Sequence, residues 1–126
     1  MDKLKFRVYN KKLKNYWKDS PIVINSDGEL YAKDLYGCLI KICYNVYEIE
    51  QCTGLKDKNG KLIYEGDIVK YHYDWEDETK PVFFDTISAC YGVKICKDFI
   101  LPFTNGLDNI EVIGNIHENK DLLEDK

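Results

Sequence analysis

The stretch that decides the fold is residues 53–70, TGLKDKNGKLIYEGDIVK. Asn59-Gly60 separates two runs of β-forming residues, and this dipeptide is the strongest short hairpin signal because the primed turns need positive φ. Glu65-Gly66-Asp67 forms a second tight turn, and it leads into a strand that starts Ile68-Val69-Lys70. A Gly-Asp turn that feeds such a strand is typical of small SH3-like barrels.

Alternating residues and turn signals continue on both sides of this stretch. Lys3–Tyr9 alternates, with Leu4, Phe6 and Val8 on one face, and predicts a half-buried strand. Asn25-Ser26-Asp27-Gly28 predicts a hairpin that joins a strand over residues 22–24 to a return strand from Leu30. The apolar run over residues 35–46 fits a buried strand or a helix turn, and strand is favoured because Tyr, Ile, Cys and Val dominate it. Further strands are predicted over residues 47–52, 68–75, 81–84, 91–96, 99–103 and 110–113, with turns at 105–106 and 114–115.

Two segments do not fit a strand pattern. Asp74 and Glu76–Glu78 predict an acidic loop. Asn119 is predicted to cap a short helix over residues 120–124, with Asp121 favourable at the positive end of that helix. The sequence as a whole therefore predicts a mainly β fold (β-rich α+β), either a small SH3-like barrel or bent sheets, with a short C-terminal helix.

Length and composition limit the organisation of the chain. With 126 residues it holds one domain, or two small lobes over about residues 1–50 and 51–126, the second barrel-like. Hydrophobic residues make up 44% and charged residues 32%, which excludes a disordered tail. The longest apolar run, Tyr36–Val46, is too interrupted to span a membrane, and the start of the chain lacks the apolar region of a secretory signal. These features predict a cytoplasmic protein.

The five cysteines form no Cys-x-x-Cys pair, and the chain has two histidines. In a reducing compartment such cysteines are expected to be free thiols, buried as small apolar residues. Their spacing predicts no metal site and no disulfide framework. We therefore expect neither a metal ion nor another cofactor.

Charge and motifs restrict the functional class. The net charge of −4 disfavours binding to duplex nucleic acid, which needs a basic face. The sequence has no metalloprotease pair of histidines, no nucleophile elbow and no phosphate-binding loop. We expect no catalytic residues and no enzymatic activity.

Two features stand out as candidate binding residues. Arg7 is the only arginine among 18 lysine and arginine residues, and its planar guanidinium suits a carboxylate or phosphate ligand, or an internal pair with a carboxylate such as Glu65 or Asp67. Lys70 and an aromatic series follow on the strand from residue 68. If exposed, this series stacks on a base or contacts a protein; if it points inward, it belongs to the core. The aromatic series consists of Tyr71, Tyr73 and Trp75.

Three segments carry a family resemblance: Lys5-Phe6-Arg7, Thr53–Gly60 with Ile63–Val69, and Glu111–Asn119. Together they resemble the YopX family, small proteins of phages and prophages. The chain departs from the family pattern at Cys52, where tyrosine is common, and at Lys120, where proline is usual. The resemblance implies a β-rich fold and a phage accessory role, and it brings no catalytic residues.

The interpretation that follows is a non-enzymatic phage accessory protein that binds a host or phage macromolecule in the host cytoplasm. One alternative is an oligomeric anti-defence sponge that sequesters a nucleotide immune signal, and another is single-stranded nucleic-acid binding. A homo-oligomer is expected because 17 aromatic residues exceed what a core of this size needs. Its contact would use Leu4, Phe6 and Val8, or the face that carries Tyr71.

Overall fold

The computed structural model describes residues 5–18, 22–42, 45–73, 75–96, 99–103 and 109–123, and over these residues the chain is mainly β. The described strands are β1 (Phe6–Asn10), β2 (Asn15–Tyr16), β3 (Ile22–Ile24), β4 (Leu30–Lys33), β5 (Leu39–Lys41), β6 (Tyr47–Lys56), β7 (Leu62–Tyr64), β8 (Asp67–Tyr73), β9 (Glu76–Pro81), β10 (Phe83–Asp85), β11 (Cys90–Cys96), β12 (Phe99–Pro102) and β13 (Glu111–Asn115). A 3-10 helix, Lys120–Leu123, follows β13. No helix among the described residues has the length and hydropathy needed to cross a bilayer.

The chain divides into two compact units. The larger unit comprises Met1–Phe6 and Gln51–Lys126, and the smaller unit comprises Arg7–Glu50. β1 and β6 therefore each contribute residues to both units.

The larger unit contains two three-stranded antiparallel sheets, in the strand orders β13-β8-β9 and β10-β11-β12. On β8, Val69 and Tyr71 are buried, whereas Lys70 and His72 are exposed, as expected of a strand with one face on the core. Irregular register in β11 and β13 marks β-bulges, which bend strands. The hydrophobic core consists of Ile63, Val69, Tyr71, Val82, Val93, Phe103 and Ile110. The predicted mainly β fold of bent sheets with a short C-terminal helix is confirmed.

The two turns predicted from residues 53–70 are present in the larger unit. Gly60 has φ of 83°, and its N–H donates to the carbonyl oxygen of Asp57 in the turn that joins β6 to β7. Gly66 has φ of 85° in the turn that joins β7 to β8. Both positions lie in the left-handed region, where glycine is favoured because it has no Cβ.

The smaller unit is built from hairpins. β1 and β2 pair in antiparallel register, with Tyr9 opposite Tyr16, and β3, β4 and β5 form a three-stranded meander. The predicted turn at residues 25–28 is confirmed: the Asn25 side-chain oxygen accepts hydrogen bonds from the N–H groups of Asp27 and Glu29. These contacts close the turn locally, which explains why sequence patterning identified it.

The predicted acidic loop at residues 74–78 is wrong in its described part, because Glu76–Pro81 forms β9. β9 pairs with β8, which places Asp77 opposite His72 and Thr79 opposite Lys70. Acidic side chains are accommodated there because this strand is partly exposed and faces cationic and polar neighbours. Asp74 lies outside the described residues.

The predicted strand over residues 35–46 is also wrong in part. Among the described residues of this segment, only Leu39–Lys41 is a strand, and it follows a tight turn in which Asp34 Oδ1 accepts from the N–H groups of Tyr36 and Cys38. Cys38 is exposed and is a free thiol, so the expectation that the cysteines are buried fails at this position.

Three smaller expectations also need correction or lie outside the described residues. The predicted cap of the C-terminal helix by Asn119 differs in detail. The Asn119 side-chain oxygen accepts from the Asn115 N–H and so stabilises the end of β13. The helix instead uses the Asn119 carbonyl oxygen, which accepts from the Leu122 N–H. Tyr9 is buried, although alternation placed it opposite the inward face of β1. The predicted turn at residues 105–106 lies outside the described residues.

Gly66→Val is expected to lower the free energy of unfolding by roughly 1–3 kcal/mol, because a β-branched residue is strained at positive φ. Gly66 is buried, and its N–H and carbonyl oxygen bond to Val82 and Ile116, so the backbone is held in place. Gly66→Asn is the control and should cost less, since asparagine tolerates this conformation. Urea denaturation measures both; an unchanged midpoint for the valine variant contradicts the prediction.

Candidate ligand-binding surfaces

Arg7 is engaged inside the smaller unit. Its Nε donates to Glu50 Oε1 at 2.7 Å, and the Tyr16 hydroxyl donates to the same oxygen at 2.9 Å. The guanidinium carbon of Arg7 also lies 4.8 Å from the centre of the Tyr16 ring. The internal carboxylate pair expected for Arg7 therefore exists, and Glu50 is a partner in it. Because Glu50 is buried, this charge needs the arginine.

The aromatic series on β8 does not form one surface. Tyr71 is 1% exposed and lies in the core, so its ring is not accessible to a ligand. Trp75 is 91% exposed and occupies the turn after β8, with φ of 71°. Lys70 lies on the exposed face of β8, opposite to Tyr71. The Tyr73 side chain lies outside the described residues.

The contacts expected in a homo-oligomer are largely internal. Val8 is buried and Phe6 is half-buried, while Leu4 lies outside the described residues. Together with the burial of Tyr71, this removes the central residues of both surfaces that sequence patterning selected for the contact.

A cleft of about 490 Å³ lies on the exposed face of β8 in the larger unit. Its walls carry charges of both signs: Lys58 Nζ is 3.6 Å from Glu111 Oε1, and His72 Nδ1 is 3.1 Å from Asp77 Oδ1. Lys70 also lines this cleft. Since the charges are largely paired with one another, the cleft has little preference for an anionic over a cationic ligand.

The hairpin of β4 and β5 exposes apolar side chains. Leu35 is 99% exposed and Tyr36 is 90% exposed at the tip, and Leu39 and Ile40 are half-exposed on β5. Register places Ile40 opposite Ala32, and Ala32 opposite Ile22, so one face of this sheet is apolar out to its edge. Sequence patterning missed this surface because it treated residues 35–46 as one buried strand; the turn-forming Asp34 was the available signal.

A second cavity, of about 230 Å³, lies in the smaller unit. Trp17 and Tyr47 line it, in an edge-to-face contact with ring centres 5.6 Å apart. Tyr16 and Lys18 also line the cavity, and the lysine-rich turn over residues 11–14 is exposed beside them. Sequence patterning missed this cavity because Tyr47 is too distant in sequence to be paired with Trp17.

The segments that carry the family resemblance hold turns together. Asp57 Oδ1 accepts from the N–H groups of Asn59 and Lys61, and its Oδ2 accepts from the Val112 N–H. Asp67 is buried and accepts from the Tyr64 N–H. Asn115 Oδ1 accepts from the N–H groups of His117 and Glu118. These polar side chains accept hydrogen bonds from backbone N–H groups, so their role in this structure is to stabilise the turns.

Fold and contacts together define a class of small, mainly β proteins whose distinctive polar residues stabilise turns. The chain belongs to the YopX family, because the model of that family, described as YopX protein, matches residues 5–124. The family resemblance inferred from the sequence is thus confirmed.

Individual relatives agree with this membership. The SPbeta prophage-derived uncharacterized protein YopX of Bacillus subtilis (strain 168) is 28% identical over 128 residues, which cover 94% of this chain and 95% of that protein. The crystal structure of Bacillus subtilis yopX has a TM-score of 0.64 at 27% identity, covering 94% of this chain and 97% of that one. The crystal structure of EF1440 from Enterococcus faecalis has a TM-score of 0.62 at 26% identity, covering 96% and 98%.

Proposed function

We propose that this chain is a non-enzymatic phage accessory protein, and that it binds a host or phage protein through the hairpin of β4 and β5. The observation that supports this proposal is the exposure of Leu35 and Tyr36 at the hairpin tip. Large apolar side chains gathered on one surface are a usual mark of a protein interaction site. The Bacillus relative is derived from the SPbeta prophage, which supports the phage role.

The hairpin is suited to docking because its tip is fixed before a partner arrives. Asp34 accepts from the N–H groups of Tyr36 and Cys38, and the Gly37 N–H donates to the Asp34 carbonyl oxygen. A preformed tip loses little conformational entropy on binding. Burial of one exposed leucine contributes about 1.5–3 kcal/mol, and tyrosine is frequent among residues that dominate binding energy.

The double variant Leu35→Ser with Tyr36→Ser is expected to weaken partner binding at least about 30-fold, because truncation of central anchors costs 2 kcal/mol or more. Affinity purification from the host, followed by binding measurements with the purified partner, tests this. Ile87→Ser is the matched control, since Ile87 is equally exposed but lies in the turn before β11. Retention of all partners by the double variant contradicts the proposal.

Light scattering distinguishes binding of another protein from formation of a homo-oligomer, including the oligomer of the nucleotide-sequestering alternative. If the hairpin binds a second copy of this chain, the mass of the protein in solution rises with concentration, and the double variant has the mass of a monomer. A constant monomer mass, together with a captured partner that requires Leu35 and Tyr36, supports the proposed function. Single-stranded nucleic acid as the main partner predicts capture that depends on salt and not on these residues.

A further inference from the structure

We propose that the cavity lined by Tyr16, Trp17, Lys18 and Tyr47 in the smaller unit binds a nucleotide, with the base against the aromatic side chains and the phosphate at the lysine-rich turn. The site is separate from the hairpin of β4 and β5. Its cavity of about 230 Å³ is small for a ligand pocket, since such pockets usually measure about 300–1,000 Å³. It therefore suits one ring system, which leaves a phosphate outside at the rim.

The aromatic wall is held in position by contacts within the smaller unit. The Trp17 backbone N–H donates to the Val8 carbonyl oxygen at 2.9 Å, and the Trp17 ring contacts the Tyr47 ring edge to face. The Tyr16 hydroxyl donates to Glu50, and its ring contacts the Arg7 guanidinium. Base stacking on such a preset aromatic side chain contributes about 1–3 kcal/mol per base.

The rim of the cavity is cationic. Lys11, Lys12 and Lys14 are exposed on the turn after β1, and residues 10–18 contain no acid. The turn is well defined, because buried Asn10 accepts from the N–H groups of Lys12 and Leu13 through its side-chain oxygen. No carboxylate among the described residues lines this cavity. A phosphate at the rim is therefore attracted by several lysines at once.

Simpler ligands fit this combination less well. Inorganic phosphate alone gains little from exposed lysines, since exposed ion pairs are worth about 0–1 kcal/mol. The chain's arginine already donates to Glu50 through its Nε. An apolar ligand gains nothing from the lysines. A base joined to a phosphate uses both features, and Asn15, which also lines the cavity, offers an amide donor and acceptor for the edge of the base.

Calorimetric titration of the purified full chain tests the ligand class. The probes are the nucleoside 5′-monophosphates, the matching nucleosides, inorganic phosphate, and 5′-phosphorylated oligonucleotides of increasing length. At least one monophosphate is expected to bind with a dissociation constant below about 1 mM, and its nucleoside and phosphate at least about tenfold more weakly. If affinity increases with oligonucleotide length, the ligand is a nucleic-acid strand. If the monophosphate binds as tightly as the oligonucleotides, the ligand is a free nucleotide.

Variants place the ligand in the cavity. Trp17→Ala is expected to weaken nucleotide binding about 5- to 150-fold, whereas Trp75→Ala, which removes a tryptophan from the larger unit, leaves it unchanged. Lys12→Ala with Lys14→Ala alters exposed side chains only, so folding is retained; it should reduce monophosphate affinity and its salt dependence but not nucleoside affinity. Lys61→Ala with Lys94→Ala, two exposed lysines of the larger unit, is the charge-matched control.

Two results overturn the inference. One is the lack of heat or competition with every monophosphate and oligonucleotide at millimolar concentration. The other is a bound nucleotide whose affinity is the same in the wild-type chain, in Trp17→Ala and in the Lys12 and Lys14 variant. Because neither result concerns Leu35 or Tyr36, a failure here is distinct from a failure of the proposed protein-binding function.

Discussion

Tyr71→Ala is expected to lower the free energy of unfolding by about 3–5 kcal/mol, the usual cost of truncating a buried aromatic side chain. The residue is fully enclosed by the larger unit's core, which includes Val69, Val93 and Phe103. Its removal leaves a cavity that a sheet held by two pairing strands cannot easily close. Denaturation followed by circular dichroism measures the loss.

The neighbouring residue provides the control for Tyr71. Lys70 lies on the exposed face of the same strand, so Lys70→Ala should change stability by no more than about 0.5 kcal/mol. This pair of variants separates the two interpretations of the aromatic series. If Tyr71→Ala keeps its stability and instead loses a binding partner, the side chain belongs to a binding surface and the assignment to the core is wrong.

Turns were predictable because their determinants are close in sequence. Asn25, Asp57 and Gly66 act on residues within a few positions of themselves, through side-chain oxygens or positive φ. The same locality explains a turn that was missed, since Asp34 acts on Tyr36 and Cys38 but lies beside an apolar run. The apolar composition of residues 35–46 favours a strand and obscures the turn signal of Asp34.

Pairing across long distances was not predictable from these patterns. Glu50, which accepts a hydrogen bond from Arg7, is 43 positions away in the sequence, too far for local patterning to pair the two residues. The strand Glu76–Pro81 reads as a loop because its charges are stabilised by residues on β8. Strand propensity depends on such neighbours more than on the residues themselves, so composition alone misplaced this segment.

The candidate site shows the same limit. Residue type selected Arg7, Lys70, Tyr71 and Trp75 as binding residues. In the structure Arg7 is in an internal ion pair and Tyr71 is in the core. Lys70 lies on an exposed strand face, and Trp75 lies in an exposed turn. Accessibility is set by the packing of the whole sheet, and a period of two cannot say which face is covered. The two surfaces proposed here for binding lie instead in the smaller unit, on segments that carry no part of the central family motif.

Asp57→Ala is expected to cost about 2–4 kcal/mol, because it removes the acceptor of three backbone N–H groups. One of these groups, on Val112, is 55 positions away, so the carboxylate joins the β6–β7 turn to β13. Asp57→Asn keeps one side-chain oxygen and should cost less than the alanine variant. Asp27→Asn removes an exposed carboxylate from a turn in the smaller unit, and should change stability by no more than about 0.5 kcal/mol.

The same carboxylate makes stability depend on pH. Burial acts to raise the pKa of Asp57, but the N–H groups of Val112, Lys61 and Asn59 outweigh it and hold the pKa below the ordinary value of 3.8. A lowered pKa in the folded state means that the contribution is present above pH 3.8 and is lost as the pH falls through the folded value. The drop in urea midpoint from pH 7 to acid should therefore be smaller in Asp57→Asn than in the wild type and Asp27→Asn. An equal drop in all three proteins contradicts a role for the Asp57 charge, and places the acid sensitivity in other carboxylates.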